Sequence, residues 1–82
     1  MFFLYVLKSL KNGDFYIGYS SNIGNRVRQH NSKKVKSTKT NTPWKLVYYE
    51  PYSDKIGAIR RERSLKMNHK AKQDLLSQIR SK

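Results

Sequence analysis

The chain has 82 residues, no cysteine, and 18 Lys and Arg against 5 acids, a formal net charge of +13. That length allows a single domain, residues 1–82, and the absence of cysteine excludes disulfides (hence a disulfide-linked partner), thiolate nucleophiles and Cys-ligated zinc. The charge imbalance repels itself in a compact state and points to a polyanionic partner, nucleic acid.

The opening Met-Phe-Phe-Leu-Tyr-Val-Leu lacks the basic lead-in and small-residue cleavage site of a signal peptide. No run approaches the ~18 apolar residues of a membrane span. It reads as a first strand, and the protein as cytoplasmic with no membrane partner. Asn12-Gly13 then separates two apolar runs, the strongest short hairpin signal, because a type I′ turn needs positive φ at both central positions. With a two-residue turn, Lys11 pairs with Asp14, Ser9 with Tyr16, Leu7 with Gly18 and Tyr5 with Ser20. Side chains alternate along strands, so Tyr5, Leu7, Tyr16 and Gly18 share one face. Two phenols beside a position with no side chain predict a shallow hollow floored by Gly18, with both hydroxyls near Arg26 and away from the core centre.

A short helix follows, capped by Ser21 or Asn22 and carrying Ile23 and Val27 as an i, i+4 apolar stripe. Arg26 and His30 are also i, i+4 neighbours, and both border that stripe. Residues 31–43 form a long polar loop with Lys33, Lys34, Lys36 and Lys39; loops of this length in small domains are usually functional or disordered. A third strand starts at Trp44, with Trp44, Leu46 and Tyr48 on one face and Lys45, Val47 and Tyr49 on the other, and ends at Pro51. Ser53 or Asp54 caps a helix running through Met67. After a polar break at Asn68-His69 comes a last helix with Leu75, Leu76 and Ile79 as its packing stripe.

Within the second helix, Glu62 lies four residues after Ala58 and three before Leu65, which sets a carboxylate on or beside the apolar face. Arg60, Arg61, Arg63 and Lys66 take much of the rest. A carboxylate so placed needs a partner or a metal.

Tyr5 in Phe-Leu-Tyr-Val-Leu, Tyr-Ile-Gly at residues 16–18, Ser-Asn-Ile-Gly-Asn-Arg-Val-Arg-Gln-His at 21–30 and Glu62 in Ala-Ile-Arg-Arg-Glu-Arg-Ser-Leu-Lys resemble the GIY-YIG nuclease superfamily in order and spacing. The stretch from His30 to Glu50 is similar to its small single-domain YhbQ-like (UPF0213) branch, related to the N-terminal nuclease domain of the bacterial excinuclease UvrC. The likeness covers nearly the whole chain. It implies an α+β fold, a small three-stranded antiparallel sheet packed with helices in the order β-β-α-β-α-α, the order that the periodicity gives as well. It further implies a metal-dependent endonuclease hydrolysing nucleic-acid phosphodiester bonds, DNA first, in repair or recombination. By that resemblance Glu62 holds one divalent cation, Mg²⁺ or Mn²⁺. Arg26 contacts the scissile phosphate, Tyr5 and Tyr16 orient or activate the attacking water, and His30 stands near the phosphate. Lys33, Lys34, Lys36, Lys39, Arg60, Arg61 and Arg63 are the expected nucleic-acid contacts. The first motif departs from the family pattern, reading Phe3-Leu4-Tyr5 in place of Gly-Ile-Tyr.

Taken singly, each residue has a plainer reading. Strand tyrosines pack, an Arg/His pair lines a wet helix edge, and a glutamate among arginines forms an exposed ion pair worth about 0–1 kcal/mol. The alternative function is accordingly a non-catalytic basic nucleic-acid-binding module. A carboxylate in a basic groove weighs against it, since binding alone needs no acid there.

Overall fold

The two apolar runs either side of Asn12-Gly13 pair as antiparallel strands β1 (Phe2–Ser9) and β2 (Phe15–Ser20) in the computed structural model, which describes residues 1–81. Their connection is longer than a two-residue turn. Ser9 N–H donates to the Asp14 carbonyl at 2.8 Å and Gly13 N–H to the Ser9 carbonyl at 2.9 Å, with Gly13 at φ +81°. The Ser9 hydroxyl accepts the Lys11 and Asn12 amides at 3.1 and 3.2 Å, satisfying the donors that a wider loop exposes. The register therefore places Tyr5 opposite Gly18 and Leu7 opposite Tyr16, two residues from the expected pairing. A shift of two keeps parity, so Tyr5, Leu7, Tyr16 and Gly18 still share a face.

Strand β3 (Trp44–Tyr52) pairs antiparallel with the other side of β1, giving the order β2-β1-β3. Pro51 lies inside this strand rather than beyond it, which an edge position tolerates because one row of amides has no ladder to join. The expected alternation along β3 is broken as well. Val6 pairs with Tyr48 and Leu7 with Leu46, which leaves Val47 as a bulge. Trp44 and Leu46 thus face the same side as Tyr5 and Leu7, whereas Tyr48 and Tyr52 pack with Leu4 and Val6 on the other.

Helix α1 (Ile23–Asn31) is capped by Asn22, whose side chain accepts the Asn25 amide at 3.0 Å. Ile23 and Val27 press onto Tyr5, Leu7 and Trp44. Helices α2 (Lys55–Met67) and α3 (His69–Arg80) cover the opposite face, where Leu4, Val6, Ile17, Leu65, Leu75 and Leu76 form the main core. Asp54 caps α2, and Asn68 both ends α2 and caps α3. The architecture is the expected α+β arrangement, β-β-α-β-α-α.

Residues 31–43 are folded against the sheet rather than loose. Asn31 behaves like an extra strand residue: its amide donates to the Trp44 carbonyl at 3.0 Å and accepts the Trp44 N–H at 2.6 Å. A 3₁₀ turn spans Lys39–Asn41, and Ser9 donates to the Asn41 carbonyl at 2.6 Å. No helix among the described residues is long and apolar enough to cross a membrane.

Candidate active site

Tyr5, Tyr16, Arg26, His30 and Glu62 come from four elements, β1, β2, α1 and α2, and the rings of Tyr5, Tyr16 and His30 pack against one another. Tyr5 stands on the central strand and is buried. Its phenol lies across Gly18: a Cβ at that position would stand 2.7 Å from the hydroxyl and 2.9 Å from Cζ. The expected hollow is therefore filled by the tyrosine itself, and the glycine is needed for that close approach. The Tyr5 hydroxyl meets His30 Nε2 at 3.0 Å inside the protein, not at an outer rim. Burial pushes the Tyr5 phenol up to about 12, although the nearby Arg26 guanidinium opposes the rise.

His30 is fully buried, its other ring nitrogen 2.8 Å from the Thr38 hydroxyl. Burial, aided by the Arg26 charge, lowers its imidazole to about 4, so it is neutral at pH 7. Tyr16 stacks at a tilt against it, ring centroids 4.8 Å apart, with the Trp44 and Tyr5 rings each at 6.3 Å. Arg26 lies near both phenols, and above all its interaction with the Tyr5 hydroxyl raises the guanidinium above its ordinary range. Gln29, one turn on, accepts from Arg26 Nη1 at 2.8 Å and aims the fork.

Glu62 reaches this group from α2, close enough for its charge to act on the Tyr5 phenol. Its carboxylate is 3.5 Å from Lys66 Nζ, and that ammonium lies 5.6 Å from the Tyr16 ring centre. Among the described residues no group of three or more His, Cys, Asp or Glu gathers around a common point. A lone carboxylate suits Mg²⁺, which keeps several waters and takes one or two carboxylates plus substrate phosphate. It does not suit a structural zinc site.

The basic residues divide. Lys33, Lys34, Lys36, Lys39, Arg60 and Arg63 are exposed, their heads open to a polyanion. Arg61 is committed elsewhere: Nε and Nη2 donate to Glu50 at 3.0 and 3.2 Å. Glu50 also accepts from the Tyr52 hydroxyl at 2.7 Å and from the Tyr48 hydroxyl. Burial alone would raise the Glu50 carboxyl, but the bonds from Arg61, Tyr48 and Tyr52 outweigh it and hold the group below the usual carboxylate range.

Three residues that sequence reasoning left out touch the site: Gln29, Lys66 and Thr38. The first two sit three and four residues from Arg26 and Glu62, so helix spacing could have flagged them. Thr38 is one of five Ser and Thr residues in residues 31–43, and nothing in the sequence separates it from the others.

The sequence matches the GIY-YIG catalytic domain over residues 1–74. A UPF0213 protein of Staphylococcus haemolyticus is 42% identical over 65 residues, 78% of each chain. One from Staphylococcus epidermidis is 40% identical over the same length and shares. The solution NMR structure of a UPF0213 protein from Bacillus halodurans superposes with a TM-score of 0.56 at 31% identity, covering 94% of this chain and 84% of that one. The arrangement of Tyr5, Tyr16, Arg26 and Glu62 is thus found on a chain that belongs to the GIY-YIG family and, within it, to the UPF0213 group.

Proposed function

We propose that this chain is a metal-dependent endonuclease that hydrolyses phosphodiester bonds of nucleic acid, with DNA as the substrate and repair or recombination as its setting. The observation that carries the reading is the buried Tyr5 hydroxyl bonded to a histidine kept neutral by burial, with the charges of Arg26 and Glu62 within electrostatic reach of that phenol. A bare packing role for Tyr5 needs no arginine acting on its hydroxyl.

Arg26 presents a planar fork that matches two phosphate oxygens and does not titrate. Tyr5 and Tyr16 set their hydroxyls beside it, where they orient a water for attack. Glu62 would hold the divalent cation, Mg²⁺ or Mn²⁺, and the bound ion would polarise water and offset charge on the leaving oxygen. Lys66 must release Glu62 for that, exchanging a partly exposed ion pair of small worth. The exposed Lys33, Lys34, Lys36, Lys39, Arg60 and Arg63 supply the phosphate contacts that keep the polymer in place.

The Lys66 ion pair also fits the alternative, a binding module without chemistry, and Glu62→Gln separates the two. Branched and linear DNA are incubated with wild type and variant in Mg²⁺ or Mn²⁺. Cleavage by the variant should fall to background while DNA affinity holds or rises slightly, since the groove gains one positive charge. A variant that cuts as fast as wild type sinks the metal role. Wild-type binding should weaken with salt at a log–log slope of about −4, as expected for roughly four to five phosphate contacts.

A further inference from the structure

Thr38 is a buried hydroxyl that the proposed reaction leaves without a part. It is 1% exposed, and its hydroxyl donates to the Val35 carbonyl at 3.3 Å. Its own carbonyl accepts the Trp44 indole N–H at 2.9 Å, which ties this point of residues 31–43 to β3. A hydroxyl has one proton. With that proton given to Val35, Thr38 Oγ1 meets His30 Nδ1, 2.8 Å away, as an acceptor. Nδ1 must then carry the hydrogen of the neutral ring, and Nε2 is left with a lone pair. Among the described residues the only group on Nε2 is the Tyr5 hydroxyl at 3.0 Å, which is then the donor. With the Thr38 proton on Val35, the polarity runs one way through four residues: Tyr5 to His30, His30 to Thr38, Thr38 to Val35.

From this geometry we infer that Thr38 is a positioning residue, which fixes His30 as its Nδ1–H tautomer so that Nε2 can take the proton of Tyr5. The inference rests on the nuclease reading for its use and on the hydrogen-bond pattern for its existence. A phenol pushed up to about 12 is not available as phenolate at neutral pH, so Tyr5 accepts a proton only by giving one up at the same time. In the step this permits, a proton leaves the attacking water for the Tyr5 oxygen as the Tyr5 proton moves to His30 Nε2. The water oxygen forms its bond to phosphorus. The ester P–O bond breaks, and its electron pair stays on the leaving oxygen, which takes a proton from solvent. His30, now an imidazolium with Nδ1–H still on Thr38, returns its extra proton through Tyr5 to solvent. Arg26 disfavours that imidazolium in the free protein; a substrate phosphate on the Arg26 fork offsets the charge and lets the ring accept. The other tautomer would aim Nε2–H at Tyr5 and block the transfer.

The test reads the tautomer directly. Long-range ¹H–¹⁵N correlation spectra of the protein separate a protonated ring nitrogen from a bare one without any assay of cleavage. Wild type should show His30 with Nδ1 protonated and Nε2 bare. Thr38→Ser should keep that pattern, and Thr38→Val should lose it. On DNA, Thr38→Val should lower cleavage at saturating substrate by about tenfold or more, at the lower edge of proton-transfer effects, with binding unchanged and Thr38→Ser restored. A wild-type His30 bearing its proton on Nε2 overturns the inference with no variant needed. So does a Thr38→Val protein with the wild-type tautomer and rate. Wild type that cuts no DNA yet shows the Nδ1–H tautomer, lost in Thr38→Val, overturns the nuclease reading and upholds the assignment of Thr38.

Discussion

On the α2/α3 side of the sheet the buried cluster is Leu4, Val6, Ile17, Leu65, Leu75 and Leu76; on the α1 side it is Tyr5, Leu7 and Trp44, joined by buried His30 and Thr38. One side is closed by aliphatic contacts, which have no preferred direction and tolerate swaps of similar volume. The other is closed by rings and hydrogen bonds, each with a donor, an acceptor and a required angle. The difference shows how 82 residues keep the polar groups of the candidate site in place. Non-directional packing supplies stability on one face, so that the other can hold groups in fixed orientations at the cost of burying polar atoms.

The sharpest way to break this division is to open the aliphatic side. Leu65 is fully buried, and Leu65→Ala should destabilise the fold by about 2–5 kcal/mol, seen as a lower denaturant midpoint. Substrate affinity of the still-folded fraction should be unaffected, and a loss below 1 kcal/mol would show that this core is not where stability resides.

Acid should strike the other face first. His30 titrates near 4 when folded and near 6.5 when unfolded. Between those values the unfolded chain binds the extra proton and the folded one does not, so stability falls as pH drops from 6.5 towards 4 and no further on this account. The loss amounts to about 3 kcal/mol at most. Glu50, also depressed, adds its own loss below the normal carboxylate range. Thermal melts of wild type and His30→Gln across this window should diverge, with the variant the flatter. Parallel curves would mean that His30 is not held neutral.

Tyr5→Phe should join a smaller structural effect to a chemical one. It strips His30 Nε2 of its partner inside the protein, which costs about 1–3 kcal/mol, more than the ±0.5 kcal/mol of a surface change. Cleavage should drop by about 10²-fold or more. Measured by chemical denaturation and by single-turnover cleavage, a stability change within the surface range would mean that the hydroxyl contributes no buried bond to His30, against the contact described above.

The smallest effect concerns the end of α1. Lys34 and Lys33 amides return to the Gln29 and His30 carbonyls at 3.2 Å each, with Lys33 at φ +66°, a Schellman ending in which glycine is the usual residue. Lys33→Gly should therefore stabilise by a few tenths to about 1 kcal/mol, while weakening DNA binding by about one phosphate contact. Destabilisation would mean that the lysine side chain itself holds the helix end.

The order of elements and the common face of Tyr5, Tyr16 and Gly18 were legible because both follow from period-two alternation, which a register slip of two leaves intact. The bulge at Val47 was not, since Trp44, Leu46 and Tyr48 are all large and apolar enough to face either side. Asp54 and Asn22 were readable as caps from residue type. Arg61 looked like its neighbours, because nothing local distinguishes an arginine facing solvent from one facing a strand eleven residues earlier. Thr38 lay hidden for the same reason: its role is set by a histidine eight positions away.

Adjacent residues on an α-helix project about 100° apart. Arg61 and Glu62 are such neighbours, and Arg61 is clasped by the Glu50 carboxylate on β3, which Tyr48 and Tyr52 also grip. That clasp works as a detent against roll of α2 about its own axis. With Arg61 indexed to the far edge strand, the azimuth of Glu62 is set too, and the direction in which its carboxylate leaves α2 is fixed by a contact that its neighbour makes.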